Sequence, residues 1–253
     1  MKPEPSLLII ASMPDNLDLA QLPLPDEASA EISVNRAKFK DMEMAEVIVD
    51  AMPFLLTRLT AAETGQQIAA MNDATISRDR PSATESAIGV ALGDNLTSAR
   101  HLTEVNRRLL LLGKWIGEGL KASGAAWMPS RRLVPFADYD KIVCRYMADG
   151  AFPVSFLTSF SEVQRGEFRS RGLRYFSGQE IRLTAPADYS PSVVIERLGR
   201  IIEDLVSRGK IDRPARADGI IPGETLIYNP SDDLGHVDID LRNDSFNTDP
   251  AKI

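Results

Sequence analysis

The chain has 253 residues, of which 43% are hydrophobic and 26% charged, an ordinary globular mixture that supports a buried core and excludes global disorder. Its net charge of −7 argues against general binding to nucleic acid or to an anionic membrane, since both reward a basic surface. A single cysteine, Cys144, excludes an internal disulfide framework and fits a reducing cytoplasm.

No apolar run approaches the roughly 18 residues needed to cross a bilayer. The opening "MKPEPSLLIIASMPDN" places Glu4 and two prolines ahead of a short apolar stretch, which argues against a signal peptide. Within it, "SLLII" reads as a buried strand, followed by an irregular Asp- and Pro-rich connection. "AEISVNRAKFK" alternates as a half-exposed strand does, and "EMAEVIVDAMP" predicts a second strand stopped by Pro53. From Phe54 to Met71 a helical period is predicted, on Leu55, Leu59, Ala62, Gln66 and Ala69. Asn72 to Ser86 loses all periodicity and predicts a mobile loop, with proteolysis starting near Arg78 or Arg80. "AIGVAL" is a short apolar strand.

The longest helix is expected over about Ser98 to Ala122. Leu102, Val105, Leu109, Leu112, Ile116 and Leu120 form its inward stripe, and Gly124 is its predicted left-handed cap. "AAWMP" starts a strand ended by Pro129. "FADYDKIVCRYMADG" predicts a helix closed by Gly150, and "FPVSFLTSF", "EFRSRGLRYF" and "QEIRLTAP" predict three strands. "SPSVVIERLGRIIEDLVSRG" is an amphipathic helix with Ser190 as cap, Pro191 in the first position and Gly209 at its end. "GETLIYNP" and "HVDIDLR" suggest a hairpin.

Strand runs with irregularly inserted helices predict an α+β fold, with mixed or mainly antiparallel sheets packed with a long central helix and two or three further helices. Residues 1–243 are expected to form a single domain, or two closely packed α/β halves meeting near 130–150, with 244–253 as a frayed polar tail.

Catalytic constellations are sparse. His101 has no second histidine or carboxylate four residues away, and His236 stands beside Asp233, Asp238 and Asp240 without the spacing of a Ca²⁺ loop, so no metal site is predicted. Cys144 has no histidine one helical turn away and reads as an ordinary thiol. Gly113, Gly117 and Gly119 imitate a dinucleotide fingerprint, but they fall inside a helix rather than between a strand and a helix start. Arg169 and Arg171 share one face of a strand flanked by Arg165 and Arg174, which suits either an anion or a solvated sheet face. Trp127 reads as a core residue where a strand leaves the sheet, with Arg131 and Arg132 at the exit.

At "GLRYFSGQEIRL" the chain resembles the domain-of-unknown-function family numbered 4261, on Gly172, Leu173, Phe176, Glu180 and Ile181. "SPSVVIERLGRIIEDLVSRG" and the closing hairpin with Gly223, Glu224 and Thr225 are similar to that family as well. The resemblance implies a fold and no particular activity. With no nucleophile–base, metal or phosphate constellation in view, the expected function is a non-catalytic protein-binding module of the bacterial cytoplasm, one form being an immunity-like inhibitor. No cofactor, nucleic acid or membrane is expected, and self-association is left open. The alternative is a small-ligand sensor or enzyme with an anion site built from Trp127, Arg131, Arg132, Arg169, Arg171 and His236, with Tyr175 as a further apolar wall.

Overall fold

The structure is a computed structural model that describes residues 4–14, 16–24, 32–39, 42–71 and 85–243, with side chains within 36–43 left aside. The chain divides into two compact units, Met1–Leu157 and Thr158–Ile253. Each holds its own sheet, and the fold is α+β. Most of the predicted loop from Asn72 to Ser86, and the tail 244–253, lie outside the described residues.

The first unit contains β1 (Leu7–Ala11), β2 (Ile32–Phe39), β3 (Met42–Val49), β4 (Met52–Leu59), α1 (Ala61–Ala69), β5 (Ser86–Leu92), α2 (Thr103–Leu120), β6 (Gly124–Trp127), β7 (Arg132–Pro135), α3 (Phe136–Asp149) and α4 (Val154–Leu157). Its strands form an antiparallel sheet in the order β2-β3-β4-β5-β1-β6-β7. All five residues of β1 are buried, as an unbroken apolar run requires when both faces of a strand are covered. Leu8 and Ile10 pack with Leu59, Met71, Ala87 and Ala126 on one face, alongside Ile68 of α1. Leu7 and Ile9 approach Gly113 of α2 on the other.

Several boundaries differ from the sequence expectation, each for a local reason. Residues 54–59 are strand rather than helix. Asp50 and Ala51, with φ of 48° and 62°, make a two-residue turn that pairs Val49 with Met52, a left-handed conformation that twist-matched hairpins demand. Pro53 does not stop a strand. It sits at the start of β4 opposite Gly93, whose N–H donates to the Pro53 carbonyl, so its missing N–H falls at the end of the β4–β5 ladder, where one bond is forgone and the strand continues. The helix starts at Ala61 under a capping box in which the Thr60 hydroxyl accepts from Glu63 N and the Glu63 carboxylate accepts from Thr60 N.

α2 begins at Thr103, after a 3-10 turn over Asp94–Ala99, so Leu102 precedes the helix and is 48% exposed instead of joining the buried stripe. The left-handed cap falls on Lys121 at φ 51°, leaving Gly124 free to open β6. The glycines of α2 allow close approach. A Cβ on Gly113 would lie 2.3 Å from Leu7 and 2.6 Å from the Tyr139 hydroxyl, and one on Gly117 would lie 1.9 Å from the Phe136 ring. Gly113→Ala is therefore expected to destabilise the first unit by about 1–3 kcal/mol through overpacking, read as a lower denaturant midpoint.

The second unit contains β8 (Ser159–Gln164), β9 (Glu167–Arg171), α5 (Arg174–Ser177), β10 (Glu180–Thr184), α6 (Pro191–Arg208), β11 (Ala215–Asp218), β12 (Glu224–Pro230) and β13 (His236–Asn243). Its sheet runs β11-β12-β13-β10-β9-β8 and is mixed, because β10 and β13 are parallel. Two predicted strands are shorter than expected. Residues 154–157 are α4, and Gly172 at φ 95° ends β9 so that Tyr175 and Phe176 fall in α5. α6 follows the expectation, with Ser190 accepting from Val193 N, Pro191 in the first turn and Gly209 after its end. The β12–β13 hairpin also forms as expected.

Candidate functional site

Alternation sorts the second sheet into two unlike faces. Phe168, Ile181, Leu183, Leu226, Tyr228, Val237, Ile239 and Leu241 point one way and are buried. Val194, Leu198, Ile201, Ile202 and Leu205 of α6 are buried in the same unit. Glu224 lies on this inner face, in step with Leu226 and Tyr228, and it is bound by Arg197 of α6, which places α6 over that face.

On the opposite face the register aligns Ser161, Arg169, Arg182, Asp238 and Asn229 in one row across β8, β9, β10, β13 and β12. All five are exposed. Arg171 and His236 stand one step along the same face, and Glu167, Thr184, Asp240, Ile227 and Arg216 form the row on the other side. The charges answer one another locally. Arg169 meets Glu167 at 2.9 Å, Arg242 meets Asp240 at 2.7 Å, Arg182 lies 3.9 Å from Asp238, and His236 Nε2 lies 3.6 Å from the other Asp238 oxygen. Among the described residues Arg171 has no ion-pair partner. Directly opposed arginines, such as Arg169 and Arg182, repel unless acids flank them, and here Glu167 and Asp238 do so.

Three of the sequence-predicted residues, Arg169, Arg171 and His236, thus share one face. Trp127, Arg131 and Arg132 belong to the first unit. Trp127 is fully buried, its ring 6.5 Å from that of Phe156, which in turn lies 5.3 Å from Tyr139. Arg131 is exposed in a left-handed turn at φ 55°, and Arg132 Nε donates to the Ser155 carbonyl at 3.0 Å.

Cys144 is exposed, and its thiol is pushed up from its ordinary value by partial desolvation and by Asp140, with Lys114 opposing, which works against thiolate formation. His101 Nδ1 lies 3.1 Å from the Ser98 carbonyl. The described residues hold no group of three or more His, Cys, Asp or Glu able to bind a metal ion.

One polar cluster escaped the sequence reading. The Glu224 side chain is fully buried and accepts from Arg197 Nε at 3.1 Å, Arg197 Nη2 at 2.9 Å, the Tyr189 hydroxyl at 2.7 Å and the amides of Ile220 and Ile221. Burial opposes its ionisation, but Tyr189, Arg197 and the two amides together hold it below the usual carboxylate range. Asn243 donates to Tyr189 in turn. The available signal was Arg197 itself, which falls on the apolar stripe of α6 between Val194 and Ile201, where a charge needs a buried acid. Glu180 plays a similar part, accepting from the Ser170 hydroxyl and the amides of Gly172 and Arg174. Both carboxylates hold turns in place.

No family model, no curated protein and no solved structure matches the chain. No helix among the described residues is long and apolar enough to cross a membrane.

Proposed function

We propose that the protein is a non-catalytic, cytoplasmic binding module that docks another protein on the open face of its second sheet, and that its resemblance to family 4261 reflects a shared scaffold. The observation that supports this is the exposed row Ser161, Arg169, Arg182, Asp238 and Asn229, polar and carrying both signs of charge. Interleaved charges favour specificity and fast association over bulk affinity. The overall charge of −7 favours a protein partner over nucleic acid, an immunity-like inhibitor being one form, with the arginines of this face meeting acidic groups of the partner.

A test is capture from lysate on immobilised protein at low and at moderate salt, comparing the wild type with Arg169→Glu/Arg171→Glu. A protein retained by the wild type and lost by the variant is expected. Recovery of the bait alone in every condition would count against the proposal. A second reading has its own observation, since Arg169, Arg171 and Arg182 place three guanidinium groups on one face, as an anion site would. Titration of amide resonances with inorganic phosphate distinguishes it, because saturable shifts confined to β9 and β10 support the anion site and linear, diffuse shifts oppose it.

A further inference from the structure

We infer that the outer edge of β11 pairs with β11 of a second copy of this chain, joining two second sheets into one. The inference is independent of the docking face proposed above. β11 lies at one end of its sheet and, among the described residues, pairs only with β12, through an unbroken register from Ala215–Tyr228 to Asp218–Thr225. The opposite end of the sheet is blunted, because β8 carries a bulge between Glu162 and Gln164. β11 carries no bulge, lysine or proline between residues 215 and 218; its protection is its four-residue length and the charges of Arg216 and Asp218, which bar uncharged or like-charged strands and leave a charge-matched one.

The backbone fixes which residues can bond outward. Gly219 N donates to the Glu224 carbonyl, and the antiparallel ladder alternates from there. Ala215 and Ala217 therefore turn their N–H and C=O toward β12, while Arg216 and Asp218 turn theirs to the free edge. Arg216 and Asp218 are both exposed and share the open face of the sheet. Arg216 Nη2 donates to the Thr225 hydroxyl at 3.1 Å, yet among the described residues neither Arg216 nor Asp218 joins an ion pair. Arginines two residues from an acid on β9 and β13 do close such pairs within their own strands.

A two-fold axis through Ala217 resolves these features together. It sets Arg216 opposite Asp218 of the second copy, and Asp218 opposite Arg216, in hydrogen-bonded positions of an antiparallel pair. A shift by one step either way would oppose Arg216 to Arg216 or Asp218 to Asp218. Ile220 and Ile221, in the turn that follows β11, are 39% and 42% exposed and leave apolar area near this end of the sheet. The contact is small, so the association is weak and concentration-dependent.

Sedimentation equilibrium of the wild type and of charge-reversed chains tests this. The wild type is expected to dimerise within a concentration range up to about 1 mM. Arg216→Asp and Asp218→Arg should each weaken the dimer by at least about tenfold, since each opposes like charges at both symmetric positions. Mixing the two single variants should restore a dimer, because each chain then meets the opposite sign, and recovery in the mixture also shows that both variants are folded. A wild type that stays monomeric throughout overturns the inference. So does a dimer indifferent to the reversals, or a mixture that fails to assemble.

Discussion

Replacing Trp127 with alanine is expected to destabilise the first unit by about 3–5 kcal/mol, the usual effect of deleting a large buried aromatic. Trp127 is the largest fully buried side chain of the protein, and its contact with Phe156, itself stacked edge-on against Tyr139, anchors β6 to the following helices. Both tryptophans, Trp115 and Trp127, lie in the first unit, so Trp115 fluorescence still reports its unfolding in the Trp127→Ala protein. Trp115 is also buried, and its truncation should be destabilising too. A Trp127→Ala protein within about 0.5 kcal/mol of the wild type would behave as surface substitutions do and would place Trp127 at a binding lip instead.

Glu224→Ala is expected to have a similar effect in the second unit, about 3–5 kcal/mol, because it leaves the Arg197 charge buried without its partner. The loop amides of Ile220 and Ile221 lose their acceptor as well. Replacing both partners at once, as Glu224→Leu/Arg197→Met, should recover much of the loss, since well-packed apolar residues often match a buried ion pair. Far-UV circular dichroism during denaturant titration reads both variants. A double variant no more stable than Glu224→Ala would show that the pair contributes by something other than mutual neutralisation.

The same network sets a pH dependence. Glu224 in the folded protein ionises below its unfolded value, so the unfolded chain binds the proton first as pH falls. Its contribution is complete above the unfolded value and is lost progressively as pH drops through the lower, folded one. Acid unfolding of the second unit should therefore shift less steeply in Glu224→Gln than in the wild type, although Glu224→Gln starts less stable.

Elements with strong periodicity or explicit caps were legible in the sequence. α6 announced itself through Ser190, Pro191 and Gly209, and β13 through Val237, Ile239 and Leu241 alternating with Asp238 and Asp240. The β3–β4 hairpin was not legible, because its left-handed turn residues are Asp50 and Ala51 rather than Asn-Gly or Asp-Gly. Leu55 and Leu59, four apart, then satisfied a helical template although tertiary pairing with β3 and β5 makes the segment a strand. Lys121 hid the end of α2 in the same way, by adopting a conformation that usually marks glycine.

The candidate face was half legible. Alternation placed Arg169 and Arg171 on one side of β9, but only the register with β10 and β13 brings Arg182, Asp238 and His236 beside them, and register depends on pairings between distant segments. The Glu224–Arg197 pair joins residues 27 apart in sequence through the same kind of long-range packing.

Arginine labelling with phenylglyoxal, compared between the free protein and its complex with the captured partner, tests the docking face most directly. Arg169, Arg171 and Arg182 should be protected in the complex, while Arg131 and Arg145, exposed in the first unit, keep their reactivity. Full reactivity of the three sheet arginines with the partner bound would contradict docking on this face.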